Sequence, residues 1–224
     1  MDGARIGKKA LQVFIAAFVI LSIMFFVPAG TLDFYQAWVY LAIIFVTAFF
    51  IVRYFLKNDP GFLERRMKTK EKEAKQRLIT KVGIIPFVFG FIIPGLDRRF
   101  GWSSVPFELV IAADALVFLG YLFCFLAFKE NCYASRVVEV VSGQKVISTG
   151  PYSLMRHPMY SGVMLMYAAT PIALGSYFAL IPFLLVVPVL VLRIQNEEEV
   201  LRRGLKGYPE YCKKVRYRLI PFIW

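Results

Sequence analysis

His157 is the only histidine in the chain. It stands in a short stretch, Gly150 to Gly162, that also holds Pro151, Tyr152, Arg156, Pro158, Met159 and Tyr160. A histidine followed by proline suits a helix start, where the hydrogen that proline lacks would have no partner anyway. Taken alone, such a ring can simply sit at a polar interface. The glycines, prolines and tyrosines around it favour a second use, because backbone N–H groups at a helix start can hold a polar or anionic ligand. After Pro158 the chain is apolar to Leu192, and the run ends in Arg193, Ile194, Gln195, Asn196, Glu197 and Glu198. Arg193 and Glu197 are four residues apart, on one helix face, where a surface ion pair contributes about 0.2–0.5 kcal/mol. Arg193 also closes an apolar span, and an ionisable residue at that depth is a functional candidate. Glu198 and Glu199 are expected to face water. A hairpin broken at Gly175 and Ser176 brings the two polar clusters to one membrane face, where a polar cofactor can meet a lipid.

The elements that must position these residues are apolar helices. The chain has 224 residues, of which 58% are hydrophobic, above the roughly 45–50% of soluble domains. The excess falls in runs near the roughly 20 residues a bilayer-spanning helix needs. The fold class is therefore all-α, a polytopic membrane bundle of about five to six transmembrane helices. Spans are expected over 10–27, 34–56, 78–96 (interrupted at Pro86) and 107–128, followed by helices over 159–174 and 177–192. The first is read as a retained helix and not a cleaved signal. Two regions follow: four spans in 1–128, and a region 129–224 that contains the hairpin 159–192 and the tail. Residues 57–77, with Arg65, Arg66, Lys68, Lys70, Lys72, Lys75, Glu64, Glu71 and Glu73, read as a solvated amphipathic helix on the membrane surface. Val137 to Val141 read as a short extended piece. Asp114, inside the fourth span, is either functional or a buried hydrogen-bonded carboxyl.

The net charge is +12. The basic residues crowd the N-terminus, 57–77, 129–157 and the tail, while the alternate loops are short. Positive charge gathers on the cytosolic side of membrane proteins, so six spans with both termini cytosolic are expected. The same charges attract anionic lipid headgroups; nucleic acid is not an expected partner. Cys124, Cys132 and Cys212 show no metal-type spacing. With one histidine, no metal site is expected.

Val146 to Tyr152, then Arg156 to Gly162, then Arg193 with Glu197, Glu198 and Leu201, together resemble the isoprenylcysteine carboxyl methyltransferase family. The related phospholipid methyltransferases share the core of this pattern. Gly207 to Val215 and Arg218 to Pro221 extend the resemblance through the tail. It implies S-adenosyl-L-methionine as methyl donor, bound from the cytosol by the C-terminal half. The cofactor contacts it implies are Gln144, Lys145, Val146, Ile147, Tyr152, His157, Pro158, Met159, Tyr160 and Glu197. Arg193 and Glu197 are the implied catalytic residues, with Arg193 facing the substrate's reacting end. The substrate class it implies is a lipid-like acceptor, above all the carboxylate of an isoprenylcysteine.

Methyl transfer from a sulfonium is chiefly a matter of holding two partners in register. A carboxylate acceptor is already ionised and needs no base, and a guanidinium can hold it by two parallel bonds. An amine acceptor must lose a proton, a task that would fall to Glu197 or His157. An amine or phospholipid N-methyltransferase is therefore one alternative. An NADPH-dependent membrane sterol or enone reductase, whose C-terminal region is similar, is another.

Overall fold

The computed structural model describes residues 3–71 and 73–224; Lys72, named above in the charged segment, lies outside them. The described residues form eight α-helices: α1 (Gly3–Ala29), α2 (Tyr35–Asn58), α3 (Pro60–Arg66), α4 (Ala74–Phe100), α5 (Phe107–Glu130), α6 (Pro158–Ala173), α7 (Leu180–Gly204) and α8 (Tyr208–Lys214). A 3-10 turn occupies Gly150–Ser153. The fold is an all-α membrane bundle. Five helices, α1, α2, α4, α5 and α7, are long and apolar enough to cross a bilayer.

The sixth expected span is shorter than the rest. α6 has 16 residues, about 24 Å at 1.5 Å per residue, against a hydrocarbon thickness of roughly 30 Å. Pro158 fixes its start. Its end is fixed at Gly175, which takes a left-handed φ of 71° beside Gln36. α7 is correspondingly longer than expected. It does not stop at Leu192 but continues to Gly204, because no breaker intervenes and Glu198–Arg202 and Glu199–Arg203 pairs support its last turns.

The large helices close into a ring. α1 packs on α2 and α4, α2 on α5, α5 on α6, α6 on α7, and α7 on α4. A buried cluster of Phe25, Phe34, Tyr40, Leu41, Phe91, Val117, Leu174 and Phe183 fills its interior. Lipid tails are as apolar as leucine, so close approach rather than hydrophobicity holds such helices together. The α5–α6 seam shows this. A Cβ added at Gly162 would lie 2.7 Å from the Gly120 carbonyl, and one added at Gly120 would lie 2.8 Å from the Gly162 carbonyl.

Three loops meet at one end of the ring. Arg98 pairs with Asp33 at 3.2 Å, Tyr177 N–H donates to Ser103 Oγ at 3.0 Å, and Ser176 Oγ donates to the buried Asp97. The N-terminus, α3, the 131–157 segment and the C-terminal tail all belong to the other end. Residues 57–77 do not form one solvated helix, contrary to expectation. Asp59 accepts from Phe62 N–H and starts a helix of only seven residues. After it the chain lies against the 131–138 segment, where Arg65 Nη2 donates to Cys132 O at 2.6 Å and Val138 N–H donates to Glu71 at 3.0 Å. Pro86 likewise does not interrupt its span, since α4 runs through both Pro86 and Pro94. Residues 137–141 are irregular and form no strand.

The seam gives a prediction. Overpacking a tight contact costs about 1–3 kcal/mol. Gly162→Val is expected to lower the thermal unfolding midpoint in detergent, whereas Gly3→Ala, with nothing within 4 Å of an added Cβ, is expected to leave it unchanged. An unchanged midpoint for Gly162→Val would refute the close α5–α6 contact.

Candidate active site

The two polar clusters meet. Tyr160, in the first turn of α6, donates its hydroxyl to Glu197 Oε2 at 2.8 Å and accepts from Arg193 Nε at 2.9 Å. Arg193 and Glu197 are thus linked through a phenol and make no direct ion pair. The Arg193 guanidinium is engaged along its whole edge. Nη1 reaches Thr80 Oγ1 at 3.3 Å and Glu71 at 3.4 Å, while Nη2 reaches the Arg136 carbonyl at 2.7 Å and Glu71 at 3.4 Å. Its five N–H donors therefore already face partners within the protein.

Glu198 does not face water. It is buried, and it gathers cations from three parts of the chain. Arg156 lies 2.8 Å away, Arg218 3.2 Å, Arg202 3.6 Å, and His157 Nε2 3.4 Å. His157 is therefore more than an interfacial ring, since its imidazole sits buried against this carboxylate. The N–H groups expected to be free at the start of α6 are partly used. Those of Arg156 and His157 donate to the Tyr217 and Arg218 carbonyls, each at 2.9 Å, and Ser161 Oγ donates to Leu219 O at 2.7 Å. The C-terminal tail is thereby clipped onto the motif.

A cleft opens beside these residues. Of the residues expected to hold a cofactor, it is lined by Gln144, Lys145, Val146, Ile147, Tyr152, His157, Met159, Tyr160 and Glu197, with Arg193 at its edge. Pro158 is the exception. It is buried as the first residue of α6 and does not line the cleft. Asn131, Tyr133, Ala134, Ser135, Val137, Val138, Glu139, Arg156, Leu201, Leu205, Tyr208 and Tyr211 complete the wall, and none of them is among the expected cofactor contacts. Tyr211 donates to the Tyr152 carbonyl at 2.7 Å and so fixes α8 against the 3-10 turn. Burial pushes the Tyr152 phenol up to about 12, partly opposed by a hydrogen bond with Asn131, and burial also raises the Tyr208 and Tyr211 phenols. All three stay protonated at neutral pH. Glu197 is half-buried, and among the described residues it has no cation within ion-pair distance.

A second, open cavity adjoins the first and shares Ser135, Met159, Tyr160 and Arg193 with it. Its wall is mostly apolar: Ala48, Ile51 and Val52 of α2, Tyr121, Cys124 and Phe128 of α5, Val163, Met166 and Tyr167 of α6, and Leu190 of α7. Arg66 and Arg136 stand with Arg193 on its polar side. Asp114 lines neither cavity. It is buried in α5, and its Oδ1 makes no hydrogen bond among the described residues.

A family model described as "Phospholipid methyltransferase" matches residues 109–206. The chain is thus methyltransferase-like over α5, the loop after it, α6 and α7, the part that builds most of the cleft wall. It is 40% identical over 81 residues to two rice proteins, each named "Probable protein-S-isoprenylcysteine O-methyltransferase", one from Oryza sativa subsp. indica and one from subsp. japonica. Those matches cover 35% of this chain and 42% of each rice protein. It is also 24% identical over 183 residues to "Delta(14)-sterol reductase TM7SF2" of Mus musculus, covering 67% of this chain and 43% of that protein. The chain spans less than half the length of the curated relatives it matches.

The Glu198 cluster makes a stability prediction. Removing one partner of a buried ion pair costs about 3–5 kcal/mol, because it leaves the others uncompensated. Glu198→Gln is expected to lower the unfolding midpoint strongly. Glu199→Gln, whose side chain is 45% exposed, is expected to change it little. Equal effects would contradict the hub role of Glu198.

Proposed function

We propose that the protein is an S-adenosylmethionine-dependent methyltransferase of the membrane, acting on a lipid-like acceptor. The observation that carries this reading is the meeting of a polar cleft and an apolar cavity at Met159, Tyr160 and Arg193. Such a junction suits a water-soluble donor on one side and a lipid chain on the other. The end of the bundle that holds both cavities is also the end with the basic segments. By the positive-inside rule that end, with both termini, is the cytosolic one.

The residues of the cleft fit the donor. When bound, it supplies a methyl group on a positively charged sulfur, which an ionised oxygen can accept without a base. Glu197 offers a carboxylate with no cationic partner among the described residues. Gln144 to Ile147 and Tyr152 line the same cleft, where backbone and phenol groups suit a nucleoside and an amino-acid tail. Tyr160 is held from both sides, by Arg193 and by Glu197, so its hydroxyl is fixed at the junction. Preorganised groups of this kind lower the cost of bringing two reactants into register. Among lipid-like acceptors, an isoprenylcysteine-like carboxylate agrees best with the cations at the junction. A phospholipid amine would need a base, and both candidates are engaged, His157 with Glu198 and Glu197 with Tyr160.

The similarity to the mouse sterol reductase supports a second reading, a reductase that uses NADPH. The match of the phospholipid methyltransferase model over residues 109–206, the part that carries Tyr160, Arg193 and Glu197, favours the first.

Isothermal titration separates the two. S-adenosylmethionine is expected to bind and NADPH is not. Glu197→Ala and His157→Ala are each expected to weaken donor binding about tenfold or more, the scale of one charged hydrogen bond, while Arg193→Ala lowers turnover far more than donor affinity. Labelled product that hydrolyses in base marks a carboxyl ester, and base-stable product marks a methylamine. Binding of NADPH with no binding of S-adenosylmethionine would overturn the methyltransferase reading.

A further inference from the structure

Arg66 is a cation whose position calls for an anion. It ends α3, is half-buried, and lines the polar side of the apolar cavity. Its Nη1 donates to the Ser135 carbonyl at 3.0 Å and lies 3.7 Å from Met159 Sδ, and its guanidinium carbon is 4.6 Å from the Phe128 ring centroid. These contacts hold the side chain flat against α5 without neutralising it. Among the described residues no carboxylate pairs with it, and its Nε and Nη2 make no hydrogen bond. The acids near the junction are engaged elsewhere: Glu71 with Arg193 and Val138 N–H, and Glu197 with Tyr160. Burial lowers the pKa of the Arg66 guanidinium. An arginine stays charged even so, and a buried charge without a partner is costly.

Arg193 contrasts with it. Its donors already face Tyr160, Thr80, Glu71 and the Arg136 carbonyl. A forked contact from Arg193 to an acceptor requires those bonds to break, whereas the free edge of Arg66 requires none to break.

We propose that Arg66, and not Arg193, holds the anionic headgroup of the lipid-like acceptor, at the mouth of the apolar cavity beside Met159. This rests on the methyltransferase reading for the identity of the ligand as acceptor, while the anion contact itself rests on geometry alone. Arg193 then serves as a positioning residue that fixes Tyr160. The assignment also gives a means of product release, because a methyl ester lacks the charge that Arg66 recognises.

The test uses the full chain in detergent micelles, without donor. The probes are an N-acylated S-prenylcysteine, its methyl ester, and phosphatidylethanolamine. The wild-type protein is expected to bind the free acid about tenfold or more tightly than the ester. Arg66→Gln is expected to abolish that difference and Arg66→Lys to keep most of it, with S-adenosylmethionine affinity unchanged in both. Phosphatidylethanolamine binding that depends on Arg66, with no preference for the acid, supports the anion site and identifies its ligand as a phosphodiester. Equal affinity for acid and ester, together with phospholipid binding insensitive to Arg66→Gln, would overturn the proposal. So would an acid preference that survives Arg66→Gln, or loss of donor binding in both variants, which would mark a structural role. If the wild-type protein fails to bind S-adenosylmethionine yet shows the Arg66-dependent preference, the methyltransferase reading fails and the anion site stands.

Discussion

A carboxylate taken out of water needs cations and donors around it, and at Glu198 these partners come from three separate parts of the chain. Arg156 and His157 precede α6, Arg202 lies one turn further along α7, and Arg218 is in the tail. One acid therefore fixes the start of one helix, the end of another and the C-terminal segment relative to each other. The backbone bonds from Arg156 and His157 to the tail carbonyls add to the same junction. With these segments fixed, the Tyr160 hydroxyl bonds Glu197 at the cleft, which Tyr208 and Tyr211 also line. Glu198 itself does not line the cleft. Its part is to set the geometry of residues that do.

The second constraint is the closed ring of helices with one short member. α6 is held tightly to α5 at Gly120 and Gly162 and is too short to reach across a bilayer by itself. Its first turn lies beside the α7 segment that carries Arg193 and Glu197, to both of which Tyr160 is bonded. A cleft reached from water and a cavity lined by α2, α5, α6 and α7 meet there. α7 extends to Gly204 and brings Glu198 within reach of Arg218 in the tail.

Much of this was legible in the sequence, for definite reasons. Hydropathy marks apolar helices directly, and the break at Gly175 and Ser176 implied the hairpin that joins the two polar clusters. Once the hairpin closes, four-residue spacing puts Arg193 and Glu197 on one face. What could not be read were the partners supplied by distant segments. Glu198 looked like a solvated acid because helix spacing says nothing of Arg218 or Arg156. Glu71 was one charge among many in 57–77, yet it bonds Arg193 and Val138 N–H from far along the chain. That segment was misread as one surface helix, since its charge pattern suits an exposed face and the contacts with Cys132 and Ser135 that hold it down are non-local. Tyr208 and Tyr211 carried a local signal in the tail pattern, but nothing in the sequence placed α8 against Tyr152.

On the proposed reading, donor and lipid meet where the cleft and the apolar cavity join. An experimental structure with S-adenosylhomocysteine and a bound amphiphile tests it most directly. The account predicts the nucleoside in the cleft between Gln144–Ile147 and Glu197, its sulfur toward Tyr160, and the lipid chain between α2 and α6. A nucleoside bound at the opposite end of the ring near Asp97, or a lipid separated from the sulfur by the Tyr160–Arg193 contact, would contradict it.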